Sequence, residues 1–128
     1  MDPKTLHTLE YFKILDRLAN YCAFAASADK ARALRPTTNL DEAQLRLKQT
    51  TEAVGMLVTR PDLTIGGARD VRTQVDLAAH GGVLAPGDLL DLKSTLIAAR
   101  TLARTFERLG TQFPTLSEIA SRIPTAQG

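Results

Sequence analysis

Apolar residues recur at helical spacing along the whole chain, and no stretch alternates apolar and polar residues with a period of two. The first pattern begins where Asp2 precedes Pro3, an arrangement that favours a helix cap and a first turn. A short second helix is predicted over Ala28–Leu34, before Pro36. The face of the first helix is predicted from residues three or four positions apart: Leu9, Phe12, Leu15, Leu18 and Cys22.

The middle of the chain predicts a longer helix that starts at a capping box. Asn39 is placed to cap free backbone N–H groups, and Glu42 follows three residues later and can reach back. Pro61 breaks the pattern, and a helix from about Arg69 to Ala79 comes next. The apolar steps of the longer helix alternate between three and four, which indicates a seam for another helix: Leu40, Ala43, Leu47, Val54 and Leu57, with Thr50 at the matching position.

The longest pattern covers Asp88–Leu109, and Gly110 is a natural stop for it. Thr115 and Glu118 predict another capping box before a last short helix. The sequence therefore predicts an all-α fold, a bundle of about five to six helices in a single helical domain over residues 1–128. The seam of the longest helix is predicted to consist of Leu89, Leu92, Leu96, Ala99, Ala103 and Phe106.

The glycine-rich stretch HGGVLAPGDLL, from His80 to Leu90, has two interpretations. A phosphate-binding loop of the Walker type needs a preceding strand and a Lys followed by Ser or Thr, whereas here the glycines follow a helix and Asp88 stands after Gly87. The second interpretation, a connection between two helices, is favoured. Gly81 then caps one helix, Pro86 opens the next, and Val83 and Leu84 pack the connector.

Composition limits the protein class without identifying a function. The chain has 128 residues, 44% hydrophobic and 23% charged, with a net charge of +2. No apolar run reaches the roughly 18 residues needed to span a membrane, and no apolar signal-peptide core follows the start. We therefore expect a cytoplasmic protein without a membrane partner. A net charge of +2 alone is too weak to indicate nucleic-acid binding.

No catalytic constellation is found among the reactive residue types. His7 and His80 have no His or Cys at i+3 or i+4 to complete a metal site. His80 can form an i,i+4 pair with Asp76, but a histidine at a helix end, near the negative end of the dipole, is the favoured interpretation. Cys22, the only cysteine, excludes an intramolecular disulfide and is predicted to be buried on an apolar face. We therefore predict no catalytic, cofactor-binding or metal-binding residue, and do not expect this chain to be an enzyme.

One basic stripe is the candidate functional surface. Arg100, Arg104 and Arg108 are spaced by four on the longest helix, and Lys93 lies one heptad before Arg100. Such stripes bind phosphate groups of nucleic acids. The alternatives are a solvated helix face, or arginines that pair with acids of a neighbouring helix.

With these segments laid out, the chain resembles the N-terminal region of the MutS-two family, bacterial MutS paralogues that lack the mismatch-recognition and connector domains. Four phrases carry the resemblance, in the family's order and over almost the whole chain. They are TLHTLEYFKILDRLANYC at Thr5–Cys22, LRPTTNLDEAQLRLKQTTEAVGML at Leu34–Leu57, IGGARDV at Ile65–Val71 and GGVLAPGDLLDLKSTLIAARTL at Gly81–Leu102.

The resemblance implies that the chain is part of the core and lever region of a larger protein. The clamp, the ATPase with its ATP and Mg, and the Smr nuclease domain of the family have no motif in this sequence. The implied role is a non-catalytic scaffold that couples ATPase state to a nucleic-acid clamp, in recombination control or ribosome rescue. The implied parent is a homodimer that acts on branched or duplex DNA, or on ribosomes.

Two consequences follow from this interpretation. Some apolar surface should pack on the absent domains and favour self-association of the isolated chain, and the candidates are Leu90, Ile97, Leu102 and Leu109. The alternative function is a small helical nucleic-acid-binding module that acts through the basic stripe.

Overall fold

The computed structural model describes residues 2–124, which contain seven α-helices and no strand. The all-α prediction is confirmed, with slightly more helices than the predicted five to six. The chain divides into two compact units, one up to Arg46 and one from Leu47 onward, and the assignment of a single domain stays a prediction. The helices are α1 (Pro3–Thr8), α2 (Tyr11–Asn20), α3 (Ala25–Arg32), α4 (Leu40–Thr59), α5 (Arg72–Ala79), α6 (Pro86–Leu109) and α7 (Pro114–Ala120).

The extra helix arises because the first predicted helix is broken in two. Asp2 caps α1 as predicted, with Oδ1 accepting a hydrogen bond of 2.7 Å from the Thr5 N–H. The prediction of one continuous first helix is wrong, because Glu10 adopts a left-handed φ of 55° between α1 and α2. The turn lets α1 pack against α2, which buries Leu6 and leaves Leu9 exposed.

The first unit is built on the packing of α2 against α3, and Ala19 on α2 and Ala31 on α3 are both buried. The Tyr11 hydroxyl donates to the Leu34 carbonyl at 3.2 Å and ties the start of α2 to the segment after α3. Cys22 is half-buried, so the prediction of a buried cysteine is only partly met.

At the start of α4, one of the two hydrogen bonds of the predicted capping box is formed. Asn39 Oδ1 accepts from the Glu42 N–H at 3.0 Å, which confirms Asn39 as the cap. The second half of the predicted capping box, in which the Glu42 side chain reaches back to the start of the helix, is wrong. The Glu42 carboxylate pairs instead with Arg46, at 3.0 Å. This pair lies at i,i+4 on the helix surface, where both side chains keep their contact with water.

The predicted seam of α4 is not its buried face. Leu47 and Val54 are exposed and Leu57 is 57% exposed, whereas the neighbouring Met56 is only 3% exposed. The reason is the position of Phe113, a buried ring next to Gly55: a β-carbon on Gly55 would lie 3.5 Å from Phe113 Cε1. Burial in the second unit therefore follows the Gly55–Met56 side of α4.

Candidate interaction surface on helix α6

Helix α6 begins as the sequence predicts. Pro86 occupies its first turn, and Asp88 Oδ2 accepts from the Ala85 N–H at 3.2 Å, close to the positive end of the helix. Gly81 follows α5 with a φ of 79°, so HGGVLAPGDLL connects two helices as favoured above. The packing role predicted for Val83 is wrong, because its side chain is almost fully exposed.

A loop that precedes α5 is fastened to one side of α6. Ser94 Oγ donates to the Gly67 carbonyl at 2.6 Å, and Thr95 Oγ1 accepts from the Arg69 N–H at 3.0 Å. Gly67 has a φ of +91°, and a β-carbon there would lie 3.2 Å from Ser94 Oγ. The loop therefore covers part of the side of α6 that carries Ser94 and Thr95.

The same fastening explains why α5 starts later than predicted. The sequence pattern predicts a helix from about Arg69, whereas α5 begins at Arg72. The Arg69 N–H is engaged by α6, and Asp70 Oδ1 accepts from the Arg72 N–H at 3.2 Å. The Asp70 carboxylate also bonds the Arg72 guanidinium, which lowers the pKa of Asp70.

The predicted basic stripe is exposed along α6. Lys93, Arg100, Arg104 and Arg108 all lie at the surface. Within residues 2–124, none of the four pairs with a carboxylate. The alternative in which these arginines pair with acids of a neighbouring helix is therefore not seen in this range, and the stripe keeps its positive charge toward solvent.

The stripe divides into two chemically different grooves. Lys93 and Arg100 line a groove of about 340 Å³ together with Leu89, Leu92, Leu96 and Ile97, which we call the α6 groove. Arg104 and Arg108 instead line a second groove of about 490 Å³ with Thr101, Thr105 and Glu107. The sequence predicts one continuous basic surface. In the structure, Lys93 and Arg100 lie beside apolar side chains, whereas Arg104 and Arg108 do not share their groove.

The predicted seam of α6 is buried only toward its C-terminal half. Ala103 is buried, whereas Leu89 and Leu96 are more than half exposed. Among the residues predicted to pack on absent domains, Leu90 and Ile97 are exposed, and Leu102 and Leu109 are half-buried. Whether this surface causes self-association stays a prediction.

A charged residue that sequence reasoning did not single out fixes the last helix. Glu52 on α4 accepts from the Thr115 N–H at 3.1 Å and from the Leu116 N–H at 2.8 Å, at the start of α7. Desolvation raises the pKa of Glu52, but these hydrogen bonds together outweigh it and lower the pKa. The predicted cap at Thr115 is wrong, since Thr115 lies inside α7 and the cap comes from 63 residues away.

Neither His7 nor His80 lines either of the two grooves on α6. His80 Nδ1 is 3.6 Å from Asp76 Oδ1, and both side chains are largely exposed. In the part of the chain that the structure describes, no group of three or more His, Cys, Asp or Glu side chains could hold a metal ion. No helix in that part is long and apolar enough to cross a membrane.

Comparisons with known proteins link the chain to one group of relatives. No protein-family model and no solved structure matches it. Curated proteins named "Endonuclease MutS2" are similar: the protein of Thermomicrobium roseum is 39% identical over 121 residues, covering 92% of this chain and 15% of the relative. That of Pelotomaculum thermopropionicum is 34% identical over 123 residues, covering 96% and 16%. That of Symbiobacterium thermophilum is 39% identical over 107 residues, covering 84% and 14%.

The chain is therefore related to MutS2 proteins, and it spans about 15% of the length of the curated relatives that it matches.

Proposed function

We propose that this chain is the N-terminal core and lever scaffold of a MutS2-like protein. In this role it contributes no catalytic group. It holds a packed helical body between an ATPase and a nucleic-acid clamp, and transmits the nucleotide state of the first to the second. The parent is a cytoplasmic homodimer that acts on branched or duplex DNA in recombination control, or on ribosomes in rescue, and uses ATP and Mg in its ATPase domain.

The observation that carries the proposal is the small buried core beside a large exposed apolar surface. Among residues 2–124, the buried apolar side chains larger than alanine are Leu6, Leu15, Met56 and Phe113. Many leucines, isoleucines and valines on α4 and α6 are exposed instead. Soluble proteins rarely leave contiguous apolar surface uncovered, so these faces fit a body that packs on further domains.

The alternative function is a small nucleic-acid-binding module. The observation in its favour is the exposed stripe Lys93, Arg100, Arg104 and Arg108, which has no carboxylate partner within residues 2–124. Exposed aromatic side chains that would stack on single-stranded bases are not interleaved with the stripe.

A domain replacement tests the scaffold role. The matched region of the Thermomicrobium roseum relative is replaced by this chain, and the nuclease activity implied by that relative's name is measured. We expect the replacement to keep activity, and a second replacement that carries Met56→Asp to lose it together with thermal stability, because a charge enters the buried side of α4. Full activity after deletion of the matched region would contradict the scaffold role.

Fluorescence anisotropy with a labelled four-way junction and a plain duplex tests the alternative. Salt-sensitive binding that Arg100→Glu/Arg104→Glu/Arg108→Glu abolishes would establish a nucleic-acid grip in this chain. The matched control changes three other exposed basic residues, Lys4, Arg17 and Lys30, to Glu. No binding at low salt would contradict the alternative.

A further inference from the structure

We propose that the α6 groove receives an amphipathic helix that carries Asp or Glu next to its apolar stripe, supplied by the rest of the same polypeptide. The inference rests on the proposed function, because it requires that the chain continues into further domains. It deepens that function by naming the surface and the chemistry of its occupant.

The six residues that line the α6 groove all belong to α6, and their apolar members have the spacing of one face of a helix that packs against another helix. Leu89, Leu92 and Leu96 follow three- and four-residue steps, and Ile97 widens the same face. Leu89, Leu96 and Ile97 are 55%, 52% and 54% exposed, so the groove is open along about two turns of α6. An occupant with apolar side chains at the same steps would remove this surface from water.

The two positive charges of the groove favour an occupant that carries negative charges. Lys93 and Arg100 lie one heptad apart on the same face as the leucines, and residues 2–124 supply neither of them with a carboxylate partner. Carboxylates placed one heptad apart on the incoming helix would meet both cations. Basic residues at those positions would be repelled.

The same charges argue against a second copy of this chain as the occupant. Lys93 and Arg100 are equally distant from the midpoint between Leu96 and Ile97. Two copies that paired their grooves antiparallel about that midpoint would place Lys93 of one copy opposite Arg100 of the other. A parallel pairing would place each cation opposite its own equivalent, so both arrangements bring like charges together.

The size of the groove argues for an occupant within the same polypeptide. A stable complex of two separate proteins buries about 800 Å² on each partner and uses about 20–30 residues a side. The α6 groove offers six residues. A helix that is tethered to the chain reaches an effective concentration of about millimolar, at which a contact of this size is occupied.

The test uses two synthetic helical peptides with the same leucine stripe, one with flanking Glu and one with flanking Lys. Binding of each labelled peptide to the chain is measured by fluorescence anisotropy. We expect weak binding of the Glu peptide, and about tenfold weaker binding of the Lys peptide. Lys93→Glu/Arg100→Glu is expected to reverse this order, whereas Leu96→Ala/Ile97→Ala weakens both peptides.

The matched control is Arg104→Glu/Arg108→Glu, which makes the same change of charge on the same helix outside the α6 groove. We expect it to change the affinity for either peptide by less than about twofold. An equal effect of the two double variants, or equal affinity for the two peptides, would overturn the proposed charge selection.

Three further outcomes would overturn the choice of occupant. A dissociation constant below about 1 μM for the free Glu peptide would indicate a separate protein partner. Displacement of the peptide by duplex DNA would indicate nucleic acid. A dimer that Leu96→Ala/Ile97→Ala dissociates, detected by analytical ultracentrifugation, would indicate a second copy.

The failure of this inference is distinguishable from the failure of the proposed function. An active domain replacement together with no charge selection leaves the scaffold role intact and removes the groove's assigned occupant. An inactive replacement together with a charge reversal contradicts the scaffold role alone.

Discussion

Met56 and Leu57 are neighbours on α4 for which the sequence pattern and the structure predict opposite behaviour. The apolar seam read from the sequence includes Leu57 and omits Met56, whereas Met56 is 3% exposed and Leu57 is 57% exposed. Truncation of a buried methionine to alanine costs about 2–5 kcal/mol through lost burial and the cavity that remains. We expect about 2–3 kcal/mol for Met56→Ala, the lower part of this range, since the second unit buries few large apolar side chains.

Leu57→Ala is the matched control, because it removes an aliphatic side chain of similar size from the same helix. An exposed position changes stability by only about 0.5 kcal/mol, and alanine's helix propensity offsets part of any loss. At about 4–8 °C per kcal/mol for a unit of this size, Met56→Ala lowers Tm by roughly 10–20 °C and Leu57→Ala by less than about 4 °C.

Thermal unfolding of the 128-residue chain, followed by far-UV circular dichroism, measures both changes. Phe113→Leu identifies the transition of the second unit if the two units unfold separately, because Phe113 is buried within that unit. Equal destabilisation by Met56→Ala and Leu57→Ala would refute the conclusion that α4 buries Met56 and exposes Leu57, and would favour the seam predicted from the sequence.

Three further predictions concern hydrogen bonds and backbone geometry. Glu52→Gln removes a carboxylate whose pKa is lowered in the folded state. The contribution of this carboxylate to the free energy of unfolding is fully present above the unfolded pKa near 4.5. It is lost as the pH falls through the lower folded pKa. The stability difference from the parent chain should therefore shrink in urea titrations at decreasing pH. Thr95→Val leaves the Arg69 N–H without its acceptor and speeds the hydrogen exchange of that amide, whereas Thr51→Val, on α4, leaves it unchanged. Gly67→Ala is expected to lower the free energy of unfolding by about 1–2 kcal/mol, because Gly67 has a positive φ and lies close to Ser94. Gly87→Ala is expected to raise it, because no atom lies within 4 Å of the added β-carbon and alanine favours the helix. A change of the same sign for both variants in chemical denaturation would contradict this.

The features that could be predicted from the sequence are the local ones. Asp2 and Asn39 cap their helices through atoms at most three residues away, so the sequence contains the whole interaction. The limits of α6 follow from Pro86 and Gly110 in the same way. The turn at Glu10 is not predictable from the sequence, because a glutamate in the left-handed region carries no local signal and the contact of α1 with α2 is tertiary.

The choice of buried face on α4 could not be predicted, because apolar residues lie on most sides of this helix. Leu45, Leu47 and Val58 are exposed at positions where the pattern alone would permit burial. The outcome depends on Phe113, which is distant in sequence. The role of Glu52 depends on residues equally far away, so periodicity could not reveal it.

The candidate surface on α6 shows the same division between local and tertiary features. The spacing of Arg100, Arg104 and Arg108 is a property of one helix, and all three side chains are exposed on it. The separation of Lys93 and Arg100 from the other two cations depends on which leucines remain exposed beside them. That exposure is decided by tertiary packing, including the loop that Ser94 and Thr95 hold on the opposite side of α6.

The composition of the buried core connects the proposed role to the α6 groove. In the second unit, Ala68, Ala103 and Ala120 are buried, and alanine allows close helix approach but contributes little transfer free energy. The Glu52 hydrogen bonds to α7 and the hydrogen bond from Ser94 to the Gly67 carbonyl add polar contacts to this unit, but few large apolar side chains are buried in it. Covering Leu89, Leu96 and Ile97 with a tethered helix would add the missing burial on α6 itself. A groove that selects its occupant by charge would then make the stability of the second unit depend on the position of the rest of the polypeptide, which is the property that a coupling scaffold requires.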